Sequence, residues 1–399
     1  MGGNRHLEIM KKSLFGLFCC LLLVFGIISI QSCSRKPKQL QTEEIVDNRP
    51  VKVNLFIENS GSMKGYFTGN SQIKDIIKEY YDRISEKQKS SDAITLNFIN
   101  TQIENYGDDI KSFLVNAQSK CNASYTKVDD ILSFAMEGCN DSTVNIVISD
   151  YCFESNDGSL AMAASGVTKI FSEQMKTNSD LSVAIIKYMS DFKGKYFPGG
   201  IICNKPLPFY IWIFGNGKDV KKIANLPISN NCGKLLLQPH QFIKHKLLSK
   251  KARMIEGDAI IVKEWNKKRS RGSSCSNPDD SDDYVVKFEV DLGSVVLPEE
   301  DIVDGKNYII SEGYEINFIN RNQEDKYVFT ISTHHPSPGI LKIDYAMDKL
   351  PQWVERSNFS GTGIPNDSTT LGIKDLITGV YDAYHNTSNE YFSIRITLK

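Results

Sequence analysis

Three short polar clusters in this chain bring together side chains of one chemical kind. Glu58-Asn59-Ser60-Gly61-Ser62-Met63 directly follows an apolar run, Ser124-Tyr125-Thr126 comes just before a helical pattern, and Ser149-Asp150-Tyr151 closes a second apolar run. Together they offer hydroxyls from Ser60, Ser62 and Thr126 and carboxylates from Glu58 and Asp150. A donor set made only of oxygens suits a hard divalent cation. Magnesium takes a few protein oxygens and keeps water, or accepts a ligand's carboxylate, at the positions left open; manganese uses similar donors. Ser60 or Ser62 after a strand is also where a hydrolase would carry its nucleophile. Ser62, however, lacks the Gly-x-Ser-x-Gly elbow, and no histidine closes a later strand of the same stretch to serve as base. A phosphatase built on an aspartate nucleophile wants two carboxylates around the strand end, and Glu58-Asn59-Ser60 supplies one.

The elements that must position these clusters alternate from Val51 onward. Val51–Ile57 reads as a strand, Ile73–Ile84 as a helix, Ala93–Ile99 as a strand, and Thr101–Tyr106 as a short edge strand. Lys127–Met136 reads as a helix, Val144–Ser149 as a buried strand, and Met162–Met175 as a helix. Leu181–Lys187 and Phe209–Phe214 read as strands and Lys218–Ala224 as a closing helix. Strand and helix in alternation imply a mainly parallel α/β sheet buried on both faces. In such sheets ligands bind beyond the carboxyl ends of the strands, where all three polar clusters fall. Asp191–Pro206 is longer than the connections such folds need, which makes it a candidate functional loop or a surface hairpin held at Cys203.

On these residues the stretch from Val51 to about Ala224 resembles a von Willebrand factor type A domain, a Rossmann-like α/β fold. That family builds a metal-ion-dependent adhesion site from a strand ending in Asp-x-Ser-x-Ser, a Thr in a later loop, and an Asp after a central strand. Leu55–Met63 resembles the first part, Tyr125–Leu132 the second and Ile146–Asp150 the third. The resemblance implies Glu58, Ser60, Ser62, Thr126 and Asp150 as the ion's ligands and a protein as partner. Two departures stand out: Glu58 occupies the usual Asp position, and Tyr151 stands where a Gly commonly follows. A carboxylate one methylene longer must fold back to reach an ion with strict octahedral demands. A capped strand-to-helix turn in a metal-free domain is the competing reading.

Beyond Pro227 the pattern changes to short runs of β character: Ala259–Lys263, Tyr284–Val290, Tyr308–Ile310, Tyr314–Ile319, Tyr327–Thr333, Leu341–Tyr345 and Tyr391–Leu398. They imply a β-rich, sandwich-like C-terminal domain over 227–399. Leu371–Tyr384 places Leu371, Leu376, Ile377, Val380 and Tyr384 on one helical face, so one amphipathic helix is expected there. His334-His335-Pro336 invites a metal reading, but adjacent strand residues point to opposite faces, and a proline-fixed turn fits better. Lys244–Arg253 reads as a solvated basic face, and Asn266–Asp283 as a solvated loop.

At the other end, Arg5, Lys11 and Lys12 precede an apolar run from Leu14 to Ile30, followed by Gln31-Ser32-Cys33. This is the layout of an export signal, and Ile30-Gln31-Ser32-Cys33 resembles the lipobox of bacterial lipoproteins. Residues 1–32 are then removed and Cys33 carries the lipid, which anchors the protein without spanning the bilayer. Residues 33–50 read as a flexible tether. Six further cysteines in an oxidising compartment imply one to three disulfides, at Cys121, Cys139, Cys152, Cys203, Cys232 and Cys275. A formal net charge of −1 gives no ground for a nucleic-acid partner. The expected protein is an outer-membrane lipoprotein that binds or assembles a protein partner, on the periplasmic side because Ser34-Arg35-Lys36-Pro37-Lys38 is basic. The lipid ties it to the membrane, and no enzymatic step is required. The rivals are an extracytoplasmic hydrolase using Ser62 or Ser60, and a structural envelope protein with a degenerate metal site.

Overall fold

The computed structural model describes residues 51–88, 93–139, 142–152, 160–196, 200–248, 254–255, 259–260, 266–267, 284–293, 295, 297, 299–323, 326–346, 350–359, 361, 365, 368–385 and 390–398. The expected signal over 1–32, lipidated Cys33 and the tether over 33–50 lie outside the described residues. Among the described residues no helix is long and apolar enough to cross a membrane.

The first part is built on β1 (Lys52–Glu58), α1 (Gln72–Gln88), β2 (Ile94–Ile99), β3 (Ile103–Gly107), α2 (Ile110–Lys120), α3 (Val128–Met136), β4 (Thr143–Ser149), α4 (Leu160–Thr177), β5 (Leu181–Tyr196), β6 (Ile201–Asn216) and α5 (Gly217–Ala224). With β7 (Gly233–Leu237) its strands form one seven-stranded sheet in the order β3-β2-β1-β4-β6-β5-β7. β1 runs parallel to both β2 and β4, and every other pairing is antiparallel. The fold is therefore α/β with a mixed sheet, which corrects the expectation of a mainly parallel one. The cause lies in Asp191–Pro206, expected as a functional loop or a surface hairpin, where the hairpin is what forms. Residues 191–196 and 201–206 are the arms of a hairpin in which Leu181 to Tyr196 pair with Asn216 to Ile201 without a break. A tight hairpin connection forces antiparallel neighbours, whereas a parallel pair needs a crossover.

Helices cover both faces of the sheet. On one face Ile73, Ile77 and Tyr80 of α1, Phe113 of α2 and Val220 of α5 pack on Leu55, Ile57 and Ile146. On the other, Ile131 and Leu132 of α3 and Val167 and Phe171 of α4 pack against Phe56, Val147 and Trp212. The neighbouring residues Leu55, Phe56 and Ile57 of β1 thus point alternately to two cores, which is why the middle of the strand is apolar without a break.

The second part holds β8 (Gln241–Phe242), β9 (His245–Leu247), β10 (Met254–Ile255), β11 (Ala259–Ile260), β12 (Asn266–Lys267), β13 (Tyr284–Val290), α6 (Glu299–Val303), β14 (Tyr308–Ile310), β15 (Glu315–Arg321), β16 (Tyr327–Thr333), β17 (Gly339–Ala346), α7 (Gln352–Ser357), β18 (Asn358–Phe359), β19 (Thr370–Leu371), α8 (Ile373–His385) and β20 (Glu390–Leu398). Two main sheets result, one along β10-β11-β20-β17-β14 and one along β12-β13-β16-β15. Tyr308 of the first meets Phe329 of the second edge-on at 5.5 Å, so their apolar faces meet as in a sandwich. The helix expected over Leu371–Tyr384 is α8. His334 and His335 sit in a bend after β16, where the His335 N–H donates to Thr333 Oγ1 at 3.2 Å.

Residues 50–399 form one compact unit, and the line drawn between 226 and 227 is crossed in three ways. β7 completes the first sheet through β5. α8 packs on α4, with Thr168 Oγ1 donating to Gly379 O at 2.9 Å. The core under α3 and α4 continues into Phe288, Phe329, Ile343 and Phe392 of the second part. Cys121, Cys139, Cys152, Cys203 and Cys232 are free thiols, so the expected bridges are not found among them. Cys275 lies outside the described residues.

Candidate functional site

The parallel register sets Ile57 beside Ile148, so β1 and β4 end together and deliver Glu58 and Ser149-Asp150 to one spot. Glu58 also pairs with Ile99, which places Asn100 at the end of β2 on its other side. The loop after Glu58 is tied down by its neighbour: Gly61 N–H donates to Ala123 O at 2.8 Å and Ala123 N–H to Asn59 O at 3.0 Å. These bonds hold Ser60 and Ser62 against the loop that carries Thr126.

All five residues expected as ligands come together there. Glu58 is fully buried, Asp150 is 2% exposed, and Ser60 and Ser62 are 3% and 4% exposed. The Ser60 backbone N–H donates to Glu58 Oε1 at 2.7 Å and its hydroxyl to Oε2 at 2.9 Å. Ser60 Oγ lies 2.8 Å from Ser62 Oγ. Thr126 Oγ1 reaches Glu58 Oε1 at 3.5 Å, and Ser149 Oγ reaches Oε2 at the same distance. The Ser62 hydroxyl interacts with the Asp150 carboxyl. Asp150 Oδ1 accepts the Cys152 N–H at 3.0 Å, while Oδ2 is buried with no hydrogen-bond partner among the described residues. The side chain of Glu58 has thus folded back onto its own loop, the accommodation its extra methylene demands.

The charge balance is unfavourable. Burial raises the Glu58 carboxyl to about 8, and the nearby Asp150 charge adds to the rise. Burial likewise raises Asp150 to about 6 against the donors that favour its ionised form. Neither carboxylate forms an ion pair with a described residue. Proton counting shows what would satisfy them. One proton on Glu58 lets Glu58 donate to Ser60, Ser60 to Ser62 and Ser62 to Asp150, so every hydroxyl donates once and only Asp150 stays ionised. A divalent cation would satisfy the same oxygens with both carboxylates ionised. The unpartnered Asp150 Oδ2 and the two serine hydroxyls fit such an ion, with Glu58 and Thr126 completing the oxygen set. Among the described residues no group of three or more His, Cys, Asp or Glu side chains is placed to hold a metal, so an ion here would rest on two carboxylates and neutral hydroxyl oxygens.

One residue passed over in the sequence belongs to the site. Asn100 Nδ2 donates to Tyr125 O at 2.8 Å and lies 3.5 Å from Glu58 Oε1, and its Oδ1 accepts the Lys127 N–H at 3.0 Å. It clamps the Thr126 loop to the end of β2; its position one residue past a buried strand was the available signal. Tyr196, within the stretch 191–206 already singled out in the sequence, joins it, with Cys152 Sγ 3.3 Å from its hydroxyl. It stands on the long hairpin, which rises beside the site as a wall: Phe192 packs edge-on against Tyr66 at 4.9 Å, and the Tyr66 hydroxyl donates to Pro208 O at 2.6 Å.

The second part reaches the same end of the sheet. Lys187 of β5 is buried, donating to Ser357 Oγ at 2.8 Å and Ser368 O at 2.6 Å, and Tyr210 OH donates to Thr370 Oγ1 at 3.3 Å. Tyr151, next to Asp150, is fully buried at φ +47°. This is the backbone conformation a glycine would adopt without cost, so the Tyr at this position keeps the turn and pays in strain. No family model, curated protein or solved structure matches the chain.

Proposed function

We propose that this chain is a lipid-anchored protein of the bacterial cell envelope that holds a protein partner at the Glu58–Asp150 end of its α/β sheet. In this reading a magnesium or manganese ion binds Glu58, Ser60, Ser62, Thr126 and Asp150, in the manner of the von Willebrand factor type A domains its motifs resemble. The observation that carries it is a pair of buried carboxylates with no cationic partner among the described residues, one of them leaving an oxygen unsatisfied. An ion there neutralises charge that the fold otherwise meets with a proton. No reaction is assigned. Ser60 and Ser62 have carboxyl and hydroxyl partners rather than a histidine base, which speaks against a serine hydrolase. Cys33 supplies the lipid anchor, with the outer membrane, periplasmic side, as the address.

The second reading, a metal-free turn in a structural envelope protein, draws on the same geometry: Glu58 already accepts from Ser60, Asn100, Thr126 and Ser149. Titration with magnesium or manganese, followed by calorimetry and thermal melting, separates the two. A saturable rise in melting temperature that Ser60→Ala and Asp150→Ala both abolish supports the ion site. An unchanged wild-type melt sinks it and leaves the scaffold reading.

A further inference from the structure

We propose that Pro365, Ser368, Thr370 and Leu371 of the second part form a clasp on the β5–β6 hairpin that sets how tightly the Glu58–Asp150 site holds its ion; this rests on the ion reading above. The hairpin needs outside support. Among the described residues β5 pairs with β7 only as far as Lys187 and β6 with β4 only as far as Tyr210, so the arms 191–196 and 201–206 pair with each other alone. A two-stranded ribbon is marginally stable in water, so what packs on it decides where it stands. The clasp meets it through four side chains. Lys187 Nζ donates to Ser368 O at 2.6 Å and Lys205 Nζ to Pro365 O at 2.8 Å, Tyr210 OH donates to Thr370 Oγ1 at 3.3 Å, and the Tyr196 hydroxyl interacts with the Leu371 N–H. Thr370 and Leu371 are themselves fastened, because β19 pairs with β18.

The hairpin in turn touches both halves of the ligand set. A Cβ on Gly194 would lie 3.0 Å from Gly65 Cα, and Phe192 packs on Tyr66, so this arm rests on the short turn that starts from Ser62. Farther along the same arm, the Tyr196 hydroxyl lies 3.3 Å from Cys152 Sγ, and the Cys152 N–H donates to Asp150 Oδ1. One hydroxyl thus stands between the clasp and the turn that aims Asp150. An ion with octahedral demands needs the Ser62 and Asp150 oxygens at a fixed spacing. The clasped hairpin fixes that spacing from both sides. Released from the clasp, it lets the two oxygens drift, and the grip on the ion weakens. By linkage, an occupied site holds the clasp more firmly. The β-rich part therefore regulates the site through packed side chains, without reaching the ion itself.

The test compares the full chain with two clasp variants. Lys205→Met removes the bond to Pro365 O and keeps the stem; Tyr196→Phe keeps the ring and removes the bridging hydroxyl. Lys221→Met is the control, because it deletes another lysine-to-carbonyl bond between the two parts, to Val295 O at 3.3 Å, away from the hairpin. Calorimetric titration with magnesium should show binding about fivefold or more weaker in both clasp variants and unchanged in the control. In magnesium-free protein, amide hydrogen exchange at Cys152 should be faster than wild type in both clasp variants, and adding magnesium to wild type should slow exchange at Leu371. Wild-type affinity or wild-type Cys152 exchange in either clasp variant, or a loss that the control shares, overturns the proposal. A wild type that does not respond to magnesium sinks the ion reading by itself. The Cys152 amide then still decides the clasp: faster exchange in both variants supports its hold on the Asp150 turn, and unchanged exchange overturns it.

Discussion

The ring of Tyr151 lies stacked on the indole of Trp212, with centroids 4.6 Å apart and planes 25° from parallel, while the backbone carrying it is held at φ +47°. The packing of the ring offsets a turn that favours glycine. Its hydroxyl, however, is buried without a hydrogen-bond partner among the described residues. Tyr151→Phe should therefore raise stability by about 1 kcal/mol, since an unmet polar group is removed and the ring stays. Tyr151→Gly should cost about 2–4 kcal/mol, the loss of a buried aromatic side chain exceeding the roughly 1 kcal/mol of relieved backbone strain. Urea unfolding measures both, and a destabilised Tyr151→Phe would show that the hydroxyl has a partner after all.

Glu58 and Asp150 set a pH dependence whose sign follows from burial. Both carboxyls bind their proton more tightly folded than unfolded, Glu58 at about 8 and Asp150 at about 6. The stability tied to these protons is complete below the unfolded values near 4 and is lost as pH rises through the folded ones. The melting temperature of cation-free protein should fall between about pH 5 and pH 8, and Glu58→Gln should flatten most of that slope. Saturating magnesium should flatten it as well in wild type, because an ion compensates the ionised pair and competes with the proton. A wild-type curve level across this range would contradict the buried, unpaired state of the two carboxyls.

The sequence was most legible where burial and local chemistry agree. β13 and β16 follow their apolar runs residue for residue, because alternation on a half-covered sheet has a single register. That Glu58, Ser60, Ser62, Thr126 and Asp150 converge was legible because β1 and β4 pair in parallel and end level with one another. The hairpin of β5 and β6 was legible in part: a surface hairpin was one of the two readings of 191–206, but its unbroken continuation of the sheet strands was not, because Lys193, Gly194 and Lys195 carry weak strand propensity. Helix α2 was missed for a related reason. Its buried residues are only Phe113 and Ala117, too few for a clear helical period, while the Asp109 carboxylate that caps it at Lys111 and Ser112 reads in sequence as a turn.

Gly379 tests whether the β-rich part is integral to the fold. A Cβ at this position would lie 3.1 Å from Ala164 Cα and inside contact distance of its carbonyl oxygen, so α8 and α4 touch backbone to backbone there. Gly379→Ala must push the helices apart or bend them, and about 1–3 kcal/mol of destabilisation is expected. Because the core under α4 continues into the sandwich, calorimetry of wild type should show one transition, and the variant should lower it as a whole. Two transitions, with only one moved by Gly379→Ala, would show that the parts unfold independently.

Gly65 links the hairpin wall to the serines. A Cβ on Gly65 would come within 2.5 Å of Phe192 Cζ, and that ring, 1% exposed and packed against Tyr66, has nowhere to turn. The short 3-10 turn of Met63–Gly65 starts from Ser62, so the shift forced by Gly65→Ala moves the Ser62 hydroxyl relative to Asp150. The variant should lose about 1–3 kcal/mol and with it most of the magnesium-dependent rise in melting temperature. Phe192→Ala opens the space the new methyl needs, so the double variant should be less destabilised than the two single losses added together, by about 1 kcal/mol or more. Additive losses would mean that the steric conflict is relieved elsewhere. A Gly65→Ala protein that binds magnesium like wild type would mean that the wall does not position Ser62.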